Sequence, residues 1–233
     1  VPRLYEKIYD KIIFKGEALS GIKKALFFWA VNLGLRYKPY GENGWWYEKQ
    51  LGLARKLIFS KWQEALGGKL KIMVSGSAAL QARLNRVFAA AGMPIMEGYG
   101  LTETSPVISV NDMRNYGFKT GTVGKVIDGV EVKVAENGEI LVKGPNVMLG
   151  YYKDEERTNN VMKNGYFCTG DKGELDENGF LKITGRTKEM FKTSGGKYIV
   201  PPLLEGKLKQ SLFIEQAMVI GEGEKMPAAI IQP

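Results

Sequence analysis

No histidine occurs in the 233 residues, and Cys168 is the single cysteine. The first absence excludes a Ser-His-Asp triad, a Cys-His dyad and any His-ligated metal centre. The second leaves no internal disulfide and no thiolate zinc site, and it fits a reducing cytosol. Long apolar runs are missing as well. The most hydrophobic stretch, Ala25 to Leu35, falls short of the roughly 20 residues needed to cross a bilayer. Charge is unbalanced but not clustered: 33 Lys plus Arg stand against 25 Asp plus Glu, for a net +8. Scattered lysines of this kind suit a solvated surface, a phosphate-rich ligand or anionic lipid headgroups, and no nucleic-acid partner is expected. The first residues are charged with no cleavage pattern after them, and Val1 stands where an initiator Met would. The chain is therefore read as part of a longer, cytoplasmic protein, peripheral at most at the inner face of a membrane.

What is present centres on Met96-Glu97-Gly98-Tyr99-Gly100-Leu101-Thr102-Glu103-Thr104. Two glycines flank one aromatic ring, and a hydroxyl, a carboxylate and a second hydroxyl follow. Glycines let backbone N–H groups approach a ligand. Tyr99 offers a face for stacking, Thr102 a donor for a phosphate oxygen, and Glu103 a hard oxygen suited to Mg²⁺. By itself a Gly-x-Gly loop is also an ordinary turn.

The residues upstream argue for more than a turn. Leu70-Lys71-Ile72-Met73-Val74 has the composition of a buried strand, followed by the small-residue loop Ser75-Gly76-Ser77-Ala78. Leu80, Leu84, Val87, Phe88 and Ala91 then recur at helical spacing, and Gly92 with Pro94 ends the helix. Strand, helix and strand in this length predict a right-handed parallel crossover, so both loops leave the same carboxyl edge of one sheet. Open α/β sheets bind ligands at that edge.

Elsewhere the texture changes twice. Residues 5–67 are mainly helical, and Phe27, Phe28, Trp29, Trp45, Trp46 and Trp62 form an aromatic group read first as packing, then as a membrane-facing or acyl-binding surface. From Gly117 onward short β-prone runs alternate with turns, among them Asn137-Gly138 and Asn178-Gly179, which predict two hairpins within a small antiparallel, barrel-like part. After Arg186 the chain becomes rich in Lys and Gly. A helix from Pro202 to Leu212 and strands at Ala217–Ile220 and Ala228–Ile231 are expected.

Gly98-Tyr99-Gly100-Leu101-Thr102-Glu103-Thr104 resembles the most diagnostic motif of the AMP-forming acyl-CoA synthetases. Ser75-Gly76-Ser77-Ala78-Ala79 is similar to that family's adenine-side loop, Phe167-Cys168-Thr169-Gly170-Asp171 to its ribose motif, and Gly185-Arg186-Thr187-Lys188-Glu189 to its interdomain hinge. The opening, Val1-Pro2-Arg3-Leu4-Tyr5-Glu6-Lys7-Ile8, resembles long-chain fatty acyl-CoA synthetases in particular.

The resemblance implies an α/β fold with an antiparallel barrel-like part. Residues 1–187 would be part of the large adenylation domain (1–67 helical, 68–116 around the nucleotide, 117–187 β), and 188–233 the hinge and start of a small α+β domain. It implies adenine held by Gly76, Ser77, Ala78 and Tyr99, with Glu97, Gly98 and Gly100 at the pocket. Thr102 would touch phosphate, Glu103 would hold Mg²⁺, Asp171 the ribose, and Arg186 would steady the nucleotide. Lys188 takes the hinge position, Lys192 reaches the phosphate or carboxylate side, and Gly195 and Gly196 line the coenzyme A channel. ATP would activate a fatty acid as its adenylate with loss of pyrophosphate, and coenzyme A would then displace AMP.

Two departures matter. The family's phosphate loop ending in Pro-Lys-Gly and its late catalytic lysine do not occur in these residues. The chain alone is therefore expected not to complete adenylation. Cys168 stands where relatives often carry an imidazole or aromatic, and Ser77 where many carry glycine. The alternatives are adenylation of an aryl, amino or carrier-linked acid, or a non-catalytic module docking through its aromatic helices.

Overall fold

In the computed structural model, residues 2–211 and 213–233 are described. Val1, part of the quoted opening segment, and Leu212, the expected end of the last helix, lie outside them. The chain divides into two compact units, Val1–Gly100 with Val107–Ile127, and Leu101–Pro106 with Asp128–Pro233.

The first unit opens with helices α1 (Pro2–Glu17), α2 (Gly21–Leu35) and α3 (Trp45–Ala54). A π-helical turn, Arg55–Phe59, leads from α3 into α4 (Ser60–Ala65). The predicted crossover follows, as β1 (Met73–Ser75), α5 (Ala82–Ala90) and β2 (Ile95–Gly100), with β1 and β2 parallel and Ser75 opposite Glu97. Antiparallel β3 (Val107–Val110) and β4 (Lys125–Val126) complete a sheet of order β1-β2-β3-β4.

Helix α5 supplies the core. Leu84, Val87 and Phe88 are fully buried against Leu33, Leu51, Phe59 and Ile95 of the same cluster. Each such side chain withdraws from water at a gain of roughly 1.5–3 kcal/mol. The helix ends where its sequence predicts. Met93 N–H donates to Phe88 O and Gly92 N–H to Ala89 O, with Gly92 at φ +78°, which is a Schellman closure requiring a left-handed residue.

Two expectations change here. Strand β1 is shorter than the predicted run, and one face is uncovered: Val74 and the preceding Ile72 are exposed (66% and 56%), while Met73 and Ser75 face inward. The aromatic group also splits. Phe27 and Trp62 are buried and Phe27 meets Phe28 edge-on at 5.1 Å, whereas Trp45 and Trp46 point outward.

The second unit contains β5 (Glu131–Val134), β6 (Glu139–Lys143), α6 (Glu155–Val161), β7 (Met162–Lys163), β8 (Tyr166–Leu175) and β9 (Leu181–Arg186). Both Asn-Gly hairpins form, each with one residue more in the loop than a two-residue turn has. Gly138 N–H returns to Ala135 O and Gly179 N–H to Asp176 O, both glycines at positive φ, as in a type I turn closed by a left-handed glycine. The resulting sheet is antiparallel but open. One edge of the long β8 takes β6, and the other is shared by β7 and β9, so the path β5-β6-β8-β7 does not close on itself.

Beyond it lie β10 (Phe191–Lys192), β11 (Tyr198–Ile199), α7 (Pro201–Leu208), β12 (Gln216–Ile220) and β13 (Ala228–Gln232), with β10–β11 and β12–β13 as antiparallel pairs. Among the described residues no helix is long and apolar enough to cross a membrane.

Candidate functional site

In the first unit the two small-residue loops lie side by side, as the crossover requires. A Cβ on Gly76 would sit 3.7 Å from the Gly98 carbonyl oxygen, and Ser77 adopts a left-handed φ of +71°. Along β2, Gly98 pairs with Val110 and Tyr99 with Ser109, and the register slips between Tyr99 and Gly100, which loosens the ladder where the motif begins to turn. Gly76, Ser77, Ala78, Glu97, Gly98, Tyr99 and Gly100 are thus gathered at one sheet edge.

Glu97 is the chemically unusual member. It is 7% exposed, and Asn85 Nδ2 donates to its Oε1 at 3.0 Å while the Leu80 N–H also hydrogen-bonds it. Burial pushes its carboxyl up to about 7, against the partial opposition of those two donors. Asn85 is itself fully buried in α5, and its amide also donates to Ile95 O at 3.0 Å. Next to Glu97 in the pairing register, Ser75 Oγ is buried and has no hydrogen-bond partner among the described residues. Neither Asn85 nor Ser75 stands among the sequence-derived candidates. A polar residue inside the apolar stripe of α5 was the available signal for Asn85.

In the second unit, Thr102–Thr104 form a single 3₁₀ turn. Thr104 is buried, and its hydroxyl donates to Pro106 O at 2.7 Å while accepting from Leu101 N–H at 3.0 Å, which fixes the turn from within. Thr102 is exposed and Glu103 half-buried. The Glu103 carbonyl accepts from Met148 N–H at 2.8 Å, and its carboxylate Oε1 accepts from the Tyr151 hydroxyl at 2.9 Å.

Asp171 lies on β8 directly opposite Arg186 on β9, with Arg186 Nε 3.3 Å from Asp171 Oδ1. The Asp171 side chain is 10% exposed and that of Arg186 50%, so the pair orients a nearly buried carboxylate more than it stabilises the fold. Asp171 N–H donates to Thr169 Oγ1 at 3.1 Å, and that hydroxyl donates to Ile140 O at 2.8 Å. Between them Gly170 takes φ +72° and gives its N–H to Glu139 Oε1 at 3.0 Å. Register shifts occur on both sides of this segment, at Glu139/Leu141 and Lys172/Gly173. Such bulges re-aim side chains, here that of Asp171. Thr187 N–H donates to Gly170 O at 2.9 Å, extending the ladder one residue past β9.

The other candidates are more dispersed. Lys188 is exposed, and Lys192 on β10 holds its ammonium 5.1 Å above the Tyr198 ring. Gly195 and Gly196 lie in the turn joining β10 to β11, where Gly196 N–H bonds Thr193 O.

A metal at Glu103 has one carboxylate to meet it. Among the described residues no group of three or more His, Cys, Asp and Glu is placed to hold an ion. That donor set fits Mg²⁺ arriving on a polyphosphate, because this ion keeps waters and phosphate oxygens as most of its ligands.

The family described as AMP-binding enzyme matches residues 1–152. The chain is 37% identical over 234 residues to the long-chain-fatty-acid–CoA ligase FadD15 of Mycobacterium bovis, covering 99% of this chain and 38% of that protein. It is 36% identical over 235 residues to long-chain-fatty-acid–CoA ligase 5 of Rattus norvegicus, covering 95% of this chain and 33% of that one. Among solved structures it is similar to the O-succinylbenzoate coenzyme A synthetase of Bacillus subtilis in complex with ATP and magnesium ion. The TM-score is 0.62 at 28% identity, over 73% of this chain and 40% of that one. The chain spans less than two fifths of the length of these curated relatives.

Proposed function

This chain belongs to the AMP-binding enzyme family, and we propose that it is part of an AMP-forming long-chain fatty acid–CoA ligase. The names of its curated relatives support the fatty acyl substrate and coenzyme A as acceptor. The observation that carries the reading is the nearly buried Asp171, fixed by Arg186 and by the Thr169–Gly170 bulge.

One carboxylate held this way can accept from both hydroxyls of a ribose. Arg186 keeps half of its side chain in solvent and so has donors left for the nucleotide. In the first unit, Gly76, Ser77 and Ala78 with Glu97 to Gly100 are assigned to adenine. Thr102 is assigned to a phosphate oxygen and Glu103 to Mg²⁺, whose contribution would be to neutralise charge on the phosphates.

In the reaction a carboxylate oxygen of the acid attacks the α-phosphorus, and the bond to the bridging oxygen breaks as pyrophosphate leaves. The thiol sulfur of coenzyme A then attacks the acyl carbon, its proton passing to solvent, and AMP departs with the electron pair of the broken C–O bond. Lys188 is assigned to the pivot between these steps, opening a small domain that runs through residue 233. Lys192 is assigned to the phosphate or carboxylate side, and Gly195 and Gly196 to the thiol channel.

The test is acid-dependent ATP–pyrophosphate exchange by the intact protein with palmitate. Asp171→Ala is expected to lower exchange about a hundredfold or more, the scale of losing one preorganised electrostatic contact, with an unchanged circular dichroism spectrum. Unchanged exchange would remove Asp171 from the site. Strong preference for aryl or amino acids over palmitate would overturn the fatty acyl assignment.

A further inference from the structure

The segment after β6 touches Glu103 twice, and nothing in the function proposed above requires it. Met148 N–H binds the Glu103 carbonyl, and the Tyr151 hydroxyl binds its carboxylate at 2.9 Å. Tyr151 is braced in turn. Its N–H donates to Thr158 Oγ1 at 2.9 Å, and the Thr158 hydroxyl donates to Asp154 O at 2.8 Å. The Arg157 guanidinium lies 4.0 Å over the Tyr151 ring, a cation–π stack. Asp154 caps α6 by accepting from Arg157 N–H at 3.0 Å, so the helix that carries Arg157 and Thr158 starts at a fixed point.

We infer that Tyr151 is a positioning residue for Glu103, and that its hydroxyl sets how tightly a divalent cation on a nucleotide is held. This rests on the assignment of Glu103 to the metal. An unbraced carboxylate in a half-buried position samples several rotamers, and a cation must select one of them at an entropic cost. A phenol donating to Oε1 makes that selection beforehand and leaves Oε2 for the ion. The same bond draws some charge from the carboxylate, which opposes binding. Preorganisation outweighs it because the donor is neutral. A phenol is protonated at neutral pH, so the hydroxyl is a donor there.

The experiment is equilibrium Mn²⁺ binding to the intact protein with ATP, read from the electron paramagnetic resonance signal of free Mn²⁺, alongside metal-free ATP affinity. Tyr151→Phe removes one oxygen and keeps the ring beneath Arg157. It is expected to weaken Mn²⁺ binding about five- to tenfold, in the range of one ordinary intramolecular hydrogen bond, with metal-free ATP affinity unchanged. In a Glu103→Gln background the same substitution is expected to add nothing. The inference is overturned if Tyr151→Phe stays within about twofold of wild type while Glu103→Gln weakens the ion, if the two losses multiply, or if metal-free ATP binding falls equally. Should Glu103→Gln itself leave Mn²⁺ binding unchanged, the metal assignment of Glu103 fails first and this inference fails with it.

Discussion

Replacing Glu97 by Gln tests the buried carboxyl where its effect on stability changes with pH. In the fold this carboxyl titrates at about 7, against 4.5 for an unperturbed glutamate, because burial disfavours its charge more than Asn85 and Leu80 favour it. Between those values the native state binds more protons than the unfolded chain, so stability is fully present below about pH 4.5 and is lost as pH rises through about 7. At about 1.4 kcal/mol per pH unit, the gap corresponds to roughly 3 kcal/mol. Glutamine carries no charge and escapes this loss, but its NH₂ brings one more donor into the buried site than a protonated carboxyl has, which costs about 1 kcal/mol at any pH. The variant is therefore expected to be about 1 kcal/mol less stable than wild type near pH 4 and up to about 2 kcal/mol more stable at pH 8. Urea unfolding at the two pH values measures the crossing. Stability curves for the two proteins that run parallel between pH 5 and pH 8 would refute the reasoning, since they would mean that Glu97 is charged throughout.

Two further substitutions probe the elements that carry these sites. Gly92→Ala places a Cβ at φ +78° and 2.8 Å from Gln63 Nε2, whose bond to Ala91 O must then shift. A loss of about 1–2 kcal/mol is expected in thermal or urea unfolding, and an unchanged midpoint would count against the left-handed closure of α5. Asp154→Ala removes the cap of the seven-residue α6 and should cost about 1 kcal/mol. Faster amide exchange at Arg157 is the local readout, and unchanged exchange would show that the cap does not hold that N–H.

The fold was legible where the governing chemistry is local. Gly92 and Pro94 mark the end of α5 because only the left-handed region accommodates that closure, and Asn137-Gly138 and Asn178-Gly179 mark hairpins because the glycine supplies positive φ. Their loops run one residue longer than a two-residue turn because a type I turn precedes the glycine. The openness of the second sheet was not legible, since it depends on two strands sharing one edge of β8, a tertiary choice with no short-range signature. In the same way Ile72 and Val74 have strand composition, yet burial depends on whether anything packs over that face. Among the site residues, Asp171 and Glu103 stood out by motif. Tyr151 did not, because 48 residues separate it from Glu103 and nothing nearby in sequence announces the pairing. Glu139, which holds the Gly170 N–H, was likewise hidden within an ordinary strand.

The ladder bond from Thr187 to Gly170 reaches to the residue before the proposed pivot. Lys188 itself lies in a turn closed by Glu189 N–H and Met190 N–H on Arg186 O, and a swing about the proposed pivot would open those bonds and carry Lys192, Gly195 and Gly196 while Asp171 and Arg186 kept their pairing. The bound ribose would stay moored through such a swing. Such a swing would also break the packing of Val200, whose Cγ1 lies 3.0 Å from where a Cβ on Gly185 would project. The bare backbone at residue 185 leaves room for that side chain, so in a hinge of the proposed kind a seat as small as one missing methyl group would help to hold the downstream segment at rest.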